Sequence, residues 1–400
     1  MNRRQESTLF LSEQEDFSLV LGGPFYQLWR RLHASGPALE LLARRMIGIP
    51  LVAWLPLLVL TIYEGVAVGH TVPVPFLYDL DAHVRFLVAI PLFLLAEVVV
   101  HRRIRPVVRH FVDAGIVTPE ALPGFQAAIA RALRLRNSLA VELTLAVFVF
   151  GFGWILWKGG ISLTTTTWYT VSDGAGWRLT LAGQWYAHLS IPIFQFFLIR
   201  WYFRLFIWFL FLWRVSRLAL RLIPTHPDRA GGLGFLAAGP VAFAPVILAQ
   251  SALLSAFIAN RIFYQGATLD SFRYEIIAFV IIQLVLVLGP LCVFTPTLLA
   301  LKRQGRREYG ALAARYTSEF HAKWIGGRPP ADEPLMGSGD IQSLADLANS
   351  YEVVKGMQAV PFGPDTIVQV GVAAVLPLLP LALTVVPAEQ ILKKLLGMLL

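Results

Sequence analysis

Seven apolar stretches, near residues 46–69, 83–100, 139–158, 186–213, 236–258, 276–301 and 366–387, approach or exceed the length needed to cross a hydrocarbon core, which is about 20 helical residues. Nothing constrains this chain more. In lipid each backbone polar group must find its partner inside the protein, and a helix provides that partner locally. The pattern predicts an all-α polytopic membrane protein with about seven transmembrane helices. Composition agrees: 56% of residues are hydrophobic and only 15% charged, against about 25% charged in soluble domains. The expected organisation is a cytoplasmic amphipathic segment over 1–45 and six spans with short loops over 46–301. A cytoplasmic helical segment over 302–365 and a seventh span with an outer tail over 366–400 complete it.

Lys and Arg set the orientation. With the N-terminus inside, 25 of the 34 basic residues fall in inner segments and seven in outer ones, a strong positive-inside bias. The expected topology has the N-terminus inside and the C-terminus outside, in the inner (plasma) membrane, with the lipid bilayer as the main partner. The net charge of +9 then belongs to cytoplasmic loops, and without any reader motif it does not point to nucleic acid. The single cysteine, Cys292, excludes an intrachain disulfide and a cysteine metal site. The first residues lack a sustained apolar core followed by a cleavage site, so the first span is expected to serve as the insertion signal.

Two arginines account for the remaining basic residues. Arg200 and Arg204 lie one helical turn apart in "QFFLIRWYFRLFIWFLFLW", Gln195–Trp213. If Trp185 and Tyr186 anchor the outer interface, Arg204 lies ~28 Å deeper, near the inner edge of a ~30 Å core. Glu97 and Glu142 share that depth, whereas Glu64 belongs near the outer end of the first span. A desolvated guanidinium seeks a carboxylate that fits its planar fork of donors. The sequence therefore predicts a cluster of Arg200, Arg204, Glu97 and Glu142, with Leu205–Trp213 packed on other protein in the cytoplasm. Such a cluster is either a joint between helices or the polar lining of an ion or solute path.

"THPDRAGGLGFL", Thr225–Leu236, is the most motif-like stretch. Its glycines Gly231, Gly232 and Gly234 permit positive φ or close approach, and Asp228 suits a helix start. It reads either as a structural turn or as a ligand or gating turn, with His226 and Arg229 assisting anion binding by backbone amides. Prolines recur in nearly every span, and the pair in "VLPLLPLAL" is the best candidate for a helix break. Gln195, Gln250 and Gln283 suit interhelical hydrogen bonds. Glu97 and His101 lack a third ligand, so no metal and no cofactor is expected. The hydrolase signatures HExxH and GxSxG are absent, and no enzymatic activity is expected. In the 302–365 segment, helices near 302–325 and 340–358 flank a Gly/Pro linker. Ile341, Leu344, Leu347, Tyr351 and Val354 form a stripe on the second helix that must bury against something.

The HPDRAGGLGFL stretch within a basic many-helix chain resembles uncharacterised bacterial inner-membrane proteins. The plan as a whole, with long fourth and sixth helices and a cytoplasmic helix leading into the last span, is similar to the insect odorant and gustatory receptor-like channels. That resemblance implies a homo-oligomer anchored through 340–358 and a cation pore lined by the final span. The family's Thr-Tyr and Gln-Phe signature is missing from that span, where Thr366 and Gln369 are the available polar side chains. The expected function is a channel or transporter for a small ion or solute. The alternative is a non-transporting scaffold or sensor that binds a partner through its cytoplasmic helices.

Overall fold

A computed structural model of the chain describes residues 17–20, 38–152, 167–172, 177–327 and 338–384. In chain order its helices are α1 (Ala38–Tyr63), α2 (Leu80–Asp113), α3 (Leu122–Arg136), α4 (Leu139–Gly151), α5 (Leu181–Val215), α6 (Ala244–Gln265), α7 (Leu269–Trp324), α8 (Gly339–Lys355) and α9 (Pro364–Thr384). A small antiparallel ribbon, β1 (Thr170–Ser172) with β2 (Trp177–Leu179), precedes α5. Six helices (α1, α2, α5, α6, α7 and α9) are long and apolar enough to cross a membrane. The expected third span corresponds to the shorter apolar α4, and residues 153–158 of that expected span lie outside the described residues. So do most of the N-terminal amphipathic segment and the linker over 328–337.

Prolines shape the long helices. Pro91 in α2 and Pro192 in α5 each follow a π turn, Val84–Ala89 and Tyr186–Ser190 respectively. A proline cannot donate to the carbonyl four residues back and crowds it, and widening the preceding turn relieves both problems. In α7, Gly289–Phe294 tightens into a 3-10 turn around Pro290. The suspected break at Pro377 and Pro380 is a 3-10 stretch, Leu376–Thr384. Just before it, the Ala374 carbonyl accepts a hydrogen bond from the Ser251 hydroxyl at 2.5 Å. The expected fifth span is split by Phe243, between the short helix Ala238–Ala242 and α6.

The central helix is α2, which packs against α1, α5 and α6, while α6 also carries α9. Phe86, Phe93, Leu94 and Val100 of α2 are fully buried. On α7, Ile277, Ile281, Ile282 and Val285 are all more than half exposed, which suits a lipid-facing side and would be costly in water. Tyr202, Gln250 and Gln283 join α5, α6 and α7: the Tyr202 hydroxyl lies 2.5 Å from Gln250 Oε1, to which Gln283 Nε2 donates at 3.0 Å.

At the end of the bundle rich in arginine, the last turns of α5 do pack on protein. Trp208, Phe211 and Leu212 are buried, and Phe211 meets Phe125 of α3 and Phe17. The outer face of the same turns, Phe206 and Trp213, is exposed. Helix α8 folds back along α7. Asp340 at its start takes hydrogen bonds from Lys323 and Trp324, which hold its carboxyl below the usual carboxylate range. Lys302 caps the opposite end by donating to the Met357 carbonyl. The apolar stripe on α8 thus finds α7 of its own chain. Val354 is buried against Gly305, Leu344, Leu347 and Tyr351 are half-buried, and Ile341 is exposed.

Candidate functional site

Glu97, on the buried face of α2, is the centre of the charge cluster. Its Oε1 accepts from Arg204 Nη2 at 3.0 Å and lies 3.5 Å from Arg200 Nη1. Its Oε2 lies 3.1 Å from Arg45 Nη2. Arg200 Nη2 is 3.5 Å from Glu142 Oε1. Because 200 and 204 are one turn apart, both guanidiniums leave the same face of α5, and Glu97 can bridge them. Glu142 sits in the first turn of α4, whose N-cap Ser138 accepts from the Val141 N–H; the positive end of the helix dipole favours a carboxylate there. The four residues singled out in the sequence are therefore brought together, on α2, α4 and α5.

Arg45 is the member that sequence reasoning missed. It was counted among cytoplasmic loop residues, but α1 begins at Ala38 and carries Arg45 into the bundle. The missed signal is its place in "ELLARRMIGIP", where the helical pattern already runs through the arginines. Arg204 is held further by the Trp201 ring, 4.6 Å from its guanidinium carbon, and Trp201 itself donates to the Phe93 carbonyl at 3.1 Å. Three helices, α1, α2 and α5, thus meet at one carboxylate. Beside the cluster, Arg136, Glu142, Leu145, Arg200, Phe203 and Arg204 line a crevice of about 10 Å³ between α3, α4 and α5, roughly the room one water needs.

A second polar cluster lies at the opposite end of α2, and the sequence reading did not assemble it. Asp79 caps α2 by accepting from the Asp81 and Ala82 amides. It also accepts from Trp168 Nε1 at 2.9 Å and from Asn260 Nδ2 at 2.8 Å. Arg85 pairs with Asp81 and donates to the Tyr186 hydroxyl at 2.7 Å. Tyr186 is therefore not an interfacial anchor as expected: it is buried, stacked on Tyr169 and edge-on to Trp168 and Phe86. Its hydroxyl has a partner inside the protein, so burial carries little penalty. The readable clue was "DLDAHVR", three charges at the mouth of an apolar run. Glu64, as expected, stays away from the arginines; it caps α5 by accepting from the Leu181 and Ala182 amides.

The glycine-rich turn closes on itself. Asp228 accepts from the amides of Ala230 at 2.8 Å, Gly232 at 3.1 Å and Gly234 at 2.8 Å, and His226 Nδ1 lies 2.8 Å from its Oδ1. Partial burial opposes the charge, yet these donors hold the Asp228 carboxyl below the usual carboxylate range. The anion that the nest of amides attracts is the chain's own, so an external anion would have to displace it. Gly231 and Gly232 have φ of +66° and +99°, conformations that favour glycine. A Cβ on Gly234 would stand 2.9 Å from the Asp228 Cβ. Arg229 lies along Gly356, and its carbonyl accepts from the Gln358 amide at 2.7 Å. The turn thus ties the α5–α6 connection to the end of α8.

Of the proposed Glu97–His101 pair, Glu97 is occupied by arginines and His101 Nδ1 lies 3.0 Å from the Ser18 hydroxyl. Among the described residues no group of three His, Cys, Asp or Glu side chains is placed to hold a metal ion. Comparison of the chain with family models, curated proteins and solved structures finds no match. Its helices are those of an integral membrane protein.

Proposed function

We propose that this chain is a non-enzymatic, multi-pass protein of the bacterial inner membrane that passes a small ion or solute. Arg200, Arg204, Glu97 and Glu142 are then the fixed charges along its route. The observation that carries this reading is the convergence of those charges from α2, α4 and α5 beside a crevice within an apolar bundle. Ionisable groups at such depth are costly and mark pathways, and fixed charges select the permeant.

The test is flux in liposomes. The Glu142→Gln/Arg200→Gln double variant removes one pair and preserves the local charge balance. It should fold and reach the membrane, while flux through the reconstituted protein falls by about tenfold or more. Equal flux in wild type and variant would leave the cluster as a joint alone. The scaffold reading is favoured by a different observation: Leu312, Ile325 and Ile341 on the α7–α8 hairpin are exposed apolar side chains. They suit a second copy or a partner docking through 340–358. Absence of flux, with self-association lost in Ile341→Asp, would select that reading.

We also read seven crossings. Glu142 meets Arg200 at one end of the bundle and Trp168 meets Asp79 at the other. Asp79 and Glu97 are separated by 18 residues of α2, ~27 Å along its axis. The chain travels that distance between residues 142 and 168. A reporter inserted at Gly115 should then behave as cytoplasmic, and reporters placed at Ser172 and after Leu400 as periplasmic. Finding Gly115 and Ser172 on the same side would mean that α4 does not cross and only six segments do.

A further inference from the structure

The Asp81–Arg85 cluster and the Glu97 cluster share one seam, the contact between α2 and α5. At the outer end Arg85 of α2 donates to the Tyr186 hydroxyl of α5 at 2.7 Å. At the inner end Glu97 of α2 accepts from Arg204 of α5 at 3.0 Å. Arg85 and Glu97 are 12 residues apart, ~18 Å along the helix axis. An ion that uses the inner charges and follows this seam has to pass what lies between them.

An aromatic barrier fills that interval. Phe93 of α2 and Phe194 of α5 meet with ring centroids 6.1 Å apart, and both are buried. The Arg85 guanidinium carbon stands 5.6 Å from the centre of the Phe194 ring, within reach of cation–π attraction. On the inner side, Trp201 donates to the Phe93 carbonyl and carries the Arg204 guanidinium against its ring. Each charged cluster therefore ends directly on the barrier. A narrow apolar constriction between charged vestibules stops ions because water leaves it. The π turns of the two helices, Val84–Ala89 and Tyr186–Ser190, each end one turn before the phenylalanine of their own helix, and such turns recur at functional sites.

We propose that Phe93 and Phe194 form the gate of a permeation route that runs along the α2–α5 seam from the Asp81–Arg85–Tyr186 cluster to the Glu97–Arg200–Arg204 cluster. The proposal rests on the flux reading and adds the place where passage is blocked. With the two rings in contact the seam is shut. Parting them joins the clusters into one polar path.

The experiment reconstitutes the full chain in liposomes of phosphatidylethanolamine and phosphatidylglycerol and follows potassium, chloride and proton flux separately. Phe194→Ala should raise the flux of at least one of these ions by about tenfold or more over wild type, because a shorter side chain leaves the constriction wet. Phe194→Val should lie between the two, and it keeps the test open should the alanine variant fold poorly. Adding Glu142→Gln/Arg200→Gln to Phe194→Ala should remove most of the gain, since gate and inner charges lie on one route. Phe206→Ala removes a ring from the exposed face of α5 and should match wild type. Wild-type flux in both Phe194 variants, with flux still lost in Glu142→Gln/Arg200→Gln, would overturn the gate and leave the flux reading standing. A gain that persists in the triple variant, or that appears equally in Phe206→Ala, is a leak outside the seam and would also overturn the gate. No flux of any of the three ions through any variant would overturn the gate and the flux reading together.

Discussion

Glu97→Gln should unfold this protein more readily than any other single polar substitution in the bundle, by about 3–5 kcal/mol in detergent melts. The reason is its position as the shared acceptor of Arg45, Arg200 and Arg204. Removing the carboxylate leaves three guanidiniums facing one another in a desolvated site, where like charges repel strongly and the planar forks lose their acceptor. Glu142→Gln should cost less, because Glu142 meets Arg200 only at 3.5 Å and is less buried than Glu97, which accepts from Arg204 at 3.0 Å. The ranking of these two glutamates is itself a test. If Glu142→Gln proves the more damaging, the centre of the cluster lies on α4 and not on α2.

Asp228→Ala should be the next largest effect, about 2–4 kcal/mol, because it strands the amides of Ala230, Gly232 and Gly234 together. Asp228→Asn keeps an acceptor but loses the charge that these dipoles favour, so it should fall between the two. The pH dependence has a definite sign. The Asp228 carboxyl is held below its ordinary value in the folded state. Its contribution is therefore fully present above the unfolded carboxylate pKa of about 4 and is lost as pH falls through the lower folded value. The stability difference between wild type and Asp228→Asn should hold steady near neutrality and shrink in acid. A difference that is unchanged at pH 3 would mean that the carboxylate is not the anion that fills the nest.

Much of this architecture is legible in the sequence because lipid imposes one rule on every span. Apolar length identifies α1, α2, α5, α6, α7 and α9, and the charge cluster follows from asking which carboxylates share the depth of Arg200 and Arg204. The start of α1 was masked because Arg44 and Arg45 look like the basic flank of a span, although the helical pattern already runs through them; the pairing of Arg45 with Glu97 decides it. The Asp79–Arg85 cluster was hidden for a related reason. The charges of "DLDAHVR" mark its local half, but its donors Trp168 and Asn260 come from distant segments, which no local pattern announces. The glycine-rich turn was legible as a nest of amides but not in its occupant. Asp228 lies only two residues from the first amide it accepts from, and a self-capped nest has the same sequence as an open one. The stripe on α8 was correctly read as needing a partner surface, and the chain supplies α7. Ile341, at the start of that stripe, stays exposed.

The most direct test of the account is a double-mutant cycle between Glu97 and Arg204. Wild type, Glu97→Gln, Arg204→Gln and the double variant would be compared by reversible unfolding in detergent. If Glu97 is the joint on which α1, α2 and α5 close, the double variant should recover part of the loss, with a coupling of roughly 2 kcal/mol. Strict additivity, with each single variant melting as wild type, would place these side chains in contact with water or lipid headgroups and contradict the buried cluster.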